Sequence, residues 1–400
     1  MDDSGPEARG DEQAPSPTPP VGEAGAWVAR LHATAHRSVF AFAGAGAEAL
    51  AWLHAVGGSS RTILEAHDHY HPASLTEALG GAPERAAAPE PTRTLARRSL
   101  ARARALVQSD QRPGPVFGMG LTATLATDRP KRGEHRAHLA TADALGTRGL
   151  DLHLRKGARE RAGEEALVAW AVLHAAAGAC GVMGMPPLAT FGDEGPEHAY
   201  HPTEAYAAFL HDPSAMLAMD RDGVPGPAAS FDAMPALVSG SFHPLHEGHL
   251  RLADAAKAWT GGEVGFELPL VNADKPEVDA SELARRAAQF FGRASVLLTH
   301  APLFADKAER LPGTVFVIGV DTAQRVLDPR FYGGDAERDA SLARIRTAGC
   351  RFLVAGRATE GAYRTLEDLA LPAGSEDLFE ALPSFRVDLS STALRASWMR

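Results

Sequence analysis

The chain has 400 residues, of which 45% are hydrophobic, 22% charged and 6% aromatic, so its apolar content suffices for about two folded domains. With 50 acidic against 40 basic residues, the formal net charge of -10 argues against non-specific binding to nucleic acid or to an anionic membrane surface. The composition also excludes a collagen-like or globally disordered chain, and any phosphate site must depend on local charge.

Three features bear on the compartment. Residues 1–25 predict a disordered tail, since they hold five prolines but neither the basic region nor the apolar core of a signal peptide. Cys180 and Cys350 lie far apart and outside any CxxC pair, so we expect neither a disulfide framework nor a zinc site. Two prolines interrupt the uncharged stretch 166–191, which favours a buried helix and loop over a membrane span. We therefore expect a cytoplasmic protein without a membrane anchor.

The first half alternates short apolar runs with helical patterns, which predicts an α/β domain over residues 26–186. The predicted elements are strands at 38–43, 61–65, 115–120, 135–141 and 150–154 and helices at 47–56, 92–108 and 158–180. Residues 187–233 are rich in Gly, Pro, Asp and His, with a short helix at 203–210, and we interpret them as a linker.

A second alternation begins at residue 234 and continues to residue 400. Its predicted elements are strands at 236–239, 264–270, 295–299, 314–320 and 351–355 and helices at 248–259, 281–291 and 340–347, with a final helix from Ser391. Strands separated by helices predict right-handed crossovers and a mostly parallel sheet.

The most informative segment, Ser-Gly-Ser-Phe-His-Pro-Leu-His-Glu-Gly-His at 239–249, follows a predicted strand and opens a helix. Gly240 permits close approach of a ligand to the backbone, and Ser241 offers a hydroxyl to a phosphate. His246 and His249 fall on one face at the positive end of the helix dipole. This arrangement fits the α-phosphate of a nucleoside triphosphate, which gains charge in the transition state of attack.

Gly248 lies between the two histidines and leaves room for a nucleotide. A zinc HExxH helix is excluded by spacing, since its second histidine would fall at Leu250. A loop in which the histidines only cap and pack stays open as an alternative.

Residues 240–249 resemble the GxFxPxHxGH signature of the nucleotidylyltransferase superfamily. The resemblance implies a Rossmann-like, doubly wound parallel sheet of the HUP type, in which Phe242 belongs to the motif and His246 and His249 contact the triphosphate. Residues 389–395 resemble the ISSTxxR motif of nicotinamide or nicotinate mononucleotide adenylyltransferases. At a helix N-terminus, the hydroxyls and amides of this motif and an arginine one turn on would clamp the β- and γ-phosphates, here Ser390, Ser391, Thr392 and Arg395.

Three further segments fit the same family in the same order. The resemblance implies that Lys275 reaches the phosphates, that Gly319 and Asp321 lie near the nucleotide sugar, and that Arg357 helps to bind ATP. The chain departs from the family at His243, where most members have Asp or Asn. It also lacks recognisable elements for stacking a nicotinamide ring between residues 274 and 310, which leaves the acceptor open.

The first domain resembles the CinA C-terminal domain, a nicotinamide-nucleotide deamidase family, at 42–50, at 116–124 and along the helix at 158–180. That family carries its catalytic serine in an ESCTGG segment, where this chain has Ala and Gly, so we do not expect deamidase activity. Phosphate binding and a purely structural turn stay equally open for six residues: Gly44, Gly46, Thr122, Thr124, Lys131 and Arg132.

His67, His69 and His71 stand at alternate positions, which in a strand would place them on one face. A surface loop is the favoured interpretation and a metal site the alternative, because no distant ligand is evident. We therefore predict no protein metal site.

Together the motifs predict an adenylyltransferase that moves AMP from ATP, with Mg²⁺, to the phosphate of a mononucleotide and releases pyrophosphate. The family implies nicotinamide or nicotinate mononucleotide, and hence NAD biosynthesis. Two alternatives stay open: a transferase that uses CTP or another acceptor such as phosphopantetheine, and a nucleotide-binding sensor without turnover. The expected partners are small nucleotides, with no nucleic acid and no membrane, and a homo-oligomer is compatible with the sequence.

Overall fold

The computed structural model describes residues 21–110, 114–129, 132–188, 195–271, 278–359, 362–383, 385 and 395. They form a mixed α/β protein with a six-stranded sheet, an eight-stranded sheet and a separate two-stranded hairpin. Within these residues, every helix is too short or too polar to cross a membrane.

The first sheet combines parallel and antiparallel pairing. Its strands are β1 (Arg37–Ala43), β2 (Ile63–Asp68), β3 (Val116–Thr124), β4 (His135–Ala142), β5 (Gly146–Leu154) and β6 (Glu197–Pro202). Their order across the sheet is β2-β1-β3-β4-β5-β6. Strand β1 runs parallel to β2 and β3, whereas β3 to β6 pair antiparallel. The alternation of helix and strand therefore applies only to the first three strands, and short connections join β3, β4 and β5.

Helices cover both faces of the first sheet. They are α1 (Val21–His32), α2 (Ala47–Ala55), α3 (Pro72–Leu79), α4 (Pro89–Val107) and α5 (Arg161–Ala179). Side chains of α1, α2 and α5 pack with Phe40 and Phe42 of β1. The alternate residues Ala41 and Ala43 pack with α3 and α4 on the opposite face, as the two-residue period of a strand requires.

The second sheet is mainly parallel. Its strands are β7 (Leu217–Met219), β8 (Pro225–Gly226), β9 (Ala236–Ser239), β10 (Val264–Pro269), β11 (Val296–Thr299), β12 (Val315–Gly319), β13 (Arg351–Ala355) and β16 (Phe379–Ala381). The separate hairpin consists of β14 (Arg357–Thr359) and β15 (Ala362–Arg364), which lie between β13 and β16 in the chain. The order is β16-β13-β12-β9-β10-β11-β7-β8. Neighbours from β16 to β11 are parallel, and β7 and β8 add an antiparallel edge.

Helices also sandwich the parallel strands of the second sheet. The helices of this half are α6 (Glu204–His211), α7 (Glu247–Thr260), α8 (Ala280–Ala288), α9 (Phe304–Arg310), α10 (Val320–Leu327) and α11 (Asp335–Thr347). Val238 and Val317 pack with α7 and α8. Leu237 and Phe316, their neighbours along the strands, pack with α9, α10 and α11 on the other face.

The order in which the chain adds strands to the second sheet changes direction at β9. Strands β10 and β11 lie on one side of β9, whereas β12 and β13 lie on the other. Helix α7 follows β9 on one face and α10 follows β12 on the opposite face. Helices that leave adjacent strands to opposite faces open a crevice at the carboxyl ends of those strands.

Two predicted segments differ from the structure. Helix α1 begins at Val21, inside the tail predicted for residues 1–25, because Ala24 and Val28 on one side of this helix are buried. Residues 187–233 are not a plain linker, since they contribute β6 to the first sheet and β7 and β8 to the second. Strand β6 is polar, and β7 and β8 span only three and two residues, so hydrophobic periodicity gave no signal for them.

Candidate functional site

A cleft of about 290 Å³ opens at the carboxyl ends of β9 and β12. Ten residues predicted from the sequence line it: Gly240, Ser241, Phe242, His246, Gly248, His249, Gly319, Asp321, Arg357 and Arg395. Four other predicted residues, Lys275, Ser390, Ser391 and Thr392, lie outside the described part of the chain. The fold thus brings four separate stretches of sequence to one crevice.

Two stacked histidines form one wall of the cleft. His246 is the N-cap of α7, and His249 lies in its first turn. Their imidazole rings stack with centroids 3.8 Å apart and an interplanar angle of 24°. The backbone N–H of His246 donates to Nδ1 of His249 over 3.2 Å. Because Nδ1 of His249 accepts this bond, the proton of the neutral ring lies on Nε2, which is then a hydrogen-bond donor.

Both histidines are held in the neutral form. Burial, the neighbouring His246 and the charge of Arg357 lower the pKa of His249 to about 3. Burial and then Arg357 also lower the pKa of His246. Nδ1 of His246 is buried and has no hydrogen-bond partner among the described residues. The pair therefore offers uncharged donors and an unsatisfied ring nitrogen beside a cleft.

The loop before α7 owes its conformation to the packing of Phe242. This residue has φ 40°, a left-handed conformation that bulky side chains rarely adopt. Phe242 is only 3% exposed, and its ring packs edge-on against Phe266, Phe290 and His249, with centroids 5.0 to 5.5 Å away. A Cβ at Gly240 would lie 3.2 Å from the same ring. The tight turn of the motif thus depends on a glycine at one end and a buried aromatic ring at the other.

Gln289, just after α8, ties the loop to the neighbouring helix. Its Oε1 accepts from the backbone N–H of Leu245 at 2.8 Å, and its Nε2 donates to the carbonyl of Phe242 at 3.0 Å. Gln289 is buried, so both bonds are shielded from water. The side chain therefore fixes the loop on both sides of the cis peptide bond between His243 and Pro244.

Glu282 of α8 is the second anchor of the loop. One of its carboxylate oxygens lies 3.2 Å from Nδ1 of His243, and the same carboxylate pairs with Arg285 and Arg286. Burial alone would raise the pKa of Glu282, but these contacts outweigh it and lower the pKa to about 2. Arg286 also reaches the carbonyl of Ser241 at 3.4 Å. His243, at which the chain departs from the motif it resembles, thus contacts a carboxylate that is ionised at neutral pH.

The opposite wall carries an ion pair between Arg357 and Asp321. Arg357 follows β13, and Asp321 lies in the first turn of α10. Both side chains are about 36–37% exposed, so each remains accessible to a ligand. Three arginines and one carboxylate stand among the described lining residues, which gives the cleft a local positive charge in a chain of formal charge -10.

The sequence analysis missed Thr322 and Arg325, which also line the cleft. They follow Asp321 in α10, at the end of the predicted strand 314–320, and no helix was predicted there. The spacing of Asp321 and Arg325 by four residues places both on one face of a helix, which is the signal that identifies them.

A smaller pocket of about 140 Å³ adjoins the cleft and shares Ser241 and Arg325 with it. It contains Lys307, whose Nζ lies 2.7 Å from Oε2 of the fully buried Glu267. Thr299 donates a hydrogen bond to the other oxygen of this carboxylate. Lys307 is 5% exposed, so the ion pair of Lys307 and Glu267, with its hydrogen bond from Thr299, belongs to the core beneath the loop.

The phosphate-binding interpretation of the first domain is not supported by its geometry. The amides of Gly46 and Glu48, at the start of α2, donate to the carboxylate of Glu165 at 2.7 and 3.4 Å, where a bound anion would have to lie. Gly44 has φ 89°, and its carbonyl accepts from Arg161. The surrounding pocket is lined by four carboxylates, Glu48, Asp68, Glu160 and Glu165, against one arginine.

Two other candidates of the first domain, Thr122 and Thr124, also have partners within the protein. The hydroxyl of Thr122 lies 2.6 Å from that of Thr92, and Thr124 donates to the carbonyl of Glu134. Arg132 is exposed, and Lys131 lies outside the described residues. For Thr122 and Thr124 the structural interpretation as parts of a packed turn is therefore the better supported of the two.

The rings of His67 and His69 stack with centroids 5.6 Å apart, but the three histidines do not lie on one strand, because β2 ends at Asp68. His67 contacts Glu65, His69 lies 3.0 Å from the hydroxyl of Ser74, and His71 caps α3 by accepting from Ala73. Within the described ranges, no cluster of three His, Cys, Asp or Glu side chains has the geometry of a metal site.

Among known proteins, only solved structures resemble this chain, and they do so over about 40% of its length. No family model and no curated protein matches it. The solved structure of competence/damage inducible protein CihA from Agrobacterium tumefaciens is 17% identical, over 40% of this chain and 95% of its own, with a TM-score of 0.31. A competence or damage-inducible protein from Enterobacter asburiae is 14% identical, over 39% and 98%, with a TM-score of 0.30. A CinA superfamily protein from Enterobacter cloacae is 13% identical, over 42% and 99%, with a TM-score of 0.31. Such TM-scores carry no conclusion about function.

Proposed function

We propose that the cleft of the second sheet is the active site of a nucleotidyltransferase that moves AMP from ATP to the phosphate of a mononucleotide. The observation that carries this proposal is the stacked pair of His246 and His249 at the N-terminus of α7, inside a positively charged crevice. The order of the parallel strands, with its reversal at β9, supports a Rossmann-type domain in which nucleotides bind at such a crevice.

In the proposed reaction, a phosphate oxygen of the acceptor attacks the α-phosphorus of ATP in line. The new P–O bond joins the two nucleotides, and the bond from the α-phosphorus to the bridging oxygen breaks, so pyrophosphate leaves with the electron pair. The acceptor phosphate is ionised at neutral pH, and no protein nucleophile is needed. Catalysis therefore depends on positioning and on stabilisation of charge.

The histidine pair suits the stabilisation of the α-phosphate. His249 donates from Nε2 as a neutral imidazole, since its Nδ1 is already engaged by the backbone. Arg357, Arg325 and Arg395 would neutralise the other phosphates, because they line the same cleft. In this proposal the histidines stabilise charge that develops on the α-phosphate oxygens during transfer, a role that a pure sensor of ATP would not need.

The donor set of the cleft fits a Mg²⁺ ion held mainly by the triphosphate and water. Asp321 is the only carboxylate among the lining residues that the structure describes, and one carboxylate beside substrate phosphates is a common arrangement for this ion. When bound, Mg²⁺ would neutralise charge on the phosphates. The role of Asp321 on the protein side is to orient Arg357 through their ion pair.

The test uses the full chain with Mg²⁺, ATP or CTP, and a set of acceptors. Nicotinamide mononucleotide and nicotinate mononucleotide are the first acceptors, and phosphopantetheine is the third. Pyrophosphate release and the mass of the product are measured. A dinucleotide formed from one mononucleotide and ATP supports the proposal and identifies the acceptor. Tight binding of ATP without pyrophosphate release from any acceptor would overturn it in favour of a sensor.

A further inference from the structure

The pocket of about 140 Å³ beside the cleft lies between the carboxyl ends of β10 and β11 and the helices α9 and α10. It is continuous with the cleft, because five residues line both: Ser239, Gly240, Ser241, Thr322 and Arg325. A ligand in this pocket would therefore lie next to the site proposed for the triphosphate.

The walls of the pocket are mainly apolar, and a ligand can reach them. Leu303, Phe304, Phe331 and Tyr332 line the pocket, and each of these side chains is partly exposed. The hydroxyl of Tyr332 donates to the carbonyl of Val326 at 3.0 Å, so its hydrogen bond is already made within the protein. What these side chains offer to a ligand is thus aliphatic and aromatic surface.

The charged groups of the pocket lie at one end. Its described lining residues include no carboxylate and two cations, Lys307 and Arg325. Lys307 is 5% exposed and paired with Glu267, so it belongs to the wall. Arg325 is exposed and also lines the cleft. A ligand would therefore meet a positive charge where the pocket joins the cleft and apolar side chains elsewhere.

The size of the pocket distinguishes among the acceptors that the sequence leaves open. A cavity of about 150 Å³ with apolar walls holds one benzene ring. The pocket, at about 140 Å³, therefore fits a single six-membered ring. A purine has a second, fused ring, and the pantetheine arm is a long flexible chain, so both exceed this space.

We propose that this pocket binds the base of the acceptor, and that the acceptor is a mononucleotide whose base is one six-membered ring, a pyridine or a pyrimidine. The ring packs against Leu303, Phe331 and Tyr332. The phosphate of the acceptor lies beside Arg325, where the pocket joins the cleft. The inference rests on the proposed function and adds the class of acceptor to it.

The test measures binding of nucleotides to the full chain by isothermal titration calorimetry with Mg²⁺ and saturating α,β-methylene-ATP. This analogue occupies the cleft, excludes adenine nucleotides from it and cannot release pyrophosphate, so binding is measured without turnover. The single-ring probes are CMP, nicotinamide mononucleotide and nicotinate mononucleotide. AMP and GMP carry two rings, phosphopantetheine carries a chain, and ribose 5-phosphate carries no base.

We expect at least one single-ring nucleotide to bind about tenfold or more tightly than ribose 5-phosphate, because its ring leaves water for an apolar pocket. The same nucleotide should bind about tenfold or more tightly than AMP, GMP and phosphopantetheine, which do not fit the volume.

Two variants make the result specific to the pocket. Phe331→Ala widens it, and should weaken the single-ring nucleotide about fivefold to tenfold while it leaves ribose 5-phosphate unchanged and does not weaken AMP. Leu303→Trp fills the pocket and should abolish the preference for a single ring; it serves if Phe331→Ala does not fold. The matched control is Tyr70→Ala, an aromatic residue of the first domain that is 68% exposed, which should bind every probe as the wild type does.

Three outcomes would overturn the inference. They are equal binding of ribose 5-phosphate and the single-ring nucleotides, tighter binding of a purine nucleotide or phosphopantetheine, and an unchanged preference in the folded Phe331→Ala and Leu303→Trp variants. Failure of the proposed function would have a different signature. The single-ring preference would be present with the analogue, but ATP and the preferred nucleotide would release no pyrophosphate.

Discussion

The backbone N–H of His246 donates to Nδ1 of His249, and the two rings stack 3.8 Å apart. This bond couples the start of α7 to the tautomer of a side chain, because it leaves only Nε2 of the neutral imidazole with a proton. The turn that caps the helix therefore also orients the group proposed to contact the α-phosphate.

Replacement of His249 by Ala should lower kcat for adenylyl transfer by about 100- to 1,000-fold, the usual cost of removing one donor to a developing negative charge. The measurement is pyrophosphate release at saturating ATP, together with near-ultraviolet circular dichroism to verify the fold. The matched control is His211→Ala, an exposed histidine at the end of α6, which should retain full activity. Full activity of His249→Ala would exclude its proposed role.

Replacement of Gln289 by Met should loosen the loop without removing any group that lines the cleft. Both hydrogen bonds to the loop are lost, so we expect KM for ATP to rise about tenfold, while secondary structure is retained. Steady-state kinetics and far-ultraviolet circular dichroism provide the two readouts. Gln108→Met, at the exposed end of α4, is the control. Unaltered kinetic constants in Gln289→Met would show that the loop holds its shape unaided.

Replacement of Lys307 by Met should lower the free energy of unfolding by about 3–5 kcal/mol, since it leaves the carboxylate of Glu267 buried without its cation. The double variant Glu267→Gln and Lys307→Met should recover most of this loss, because the amide oxygen of Gln still accepts from Thr299. Urea denaturation of the three proteins measures both effects. A double variant as unstable as Lys307→Met would contradict the explanation by unpaired charge.

Replacement of His36 by Leu should weaken the dependence of stability on acid pH. Burial lowers the pKa of His36 to about 4 in the folded chain, against 6.5 in the unfolded one. The unfolded state therefore takes up the proton first, and stability that is complete above about pH 6.5 declines as the pH falls towards 4.

Between pH 7 and pH 5 this histidine accounts for about 2 kcal/mol of the decline. Urea denaturation at both pH values should show a correspondingly smaller loss in His36→Leu. We also expect this variant to be more stable at pH 7, because both ring nitrogens of His36 are buried without partners in the described structure. His54→Gln, at an exposed position of α2, should behave as the wild type at both pH values. An equal loss for His36→Leu and the wild type would assign the pH dependence to other groups.

Ten of the residues that line the cleft were predicted from the sequence because their motifs are local. Gly240, His246 and His249 share one strand–turn–helix unit, and the proposed chemistry was predicted from their spacing. The contact between Asp321 and Arg357 was not predictable, although both were candidates, because it depends on how α10 and the end of β13 meet in space.

The hydrogen bonds by which Gln289 anchors the loop could not be predicted from the sequence. Gln289 bonds to residues 44 and 47 positions earlier, and a glutamine or glutamate in an amphipathic helix has no local feature that distinguishes an anchor from a solvated side chain. Long-range polar contacts are thus the part of the site that requires coordinates.

The three strands that the connecting segment contributes, β6 to the first sheet and β7 and β8 to the second, determine where the chain tolerates a cut. Met219 of β7 pairs with Val296 of β11, so a fragment that starts at residue 234 would expose the hydrogen-bonding edge of β11. Bare edges of this kind recruit strands from other molecules and promote aggregation. A cut in the turn between Pro202 and Glu204 would instead leave each sheet its own border strand, although it would still separate the interface around His36 and Phe291.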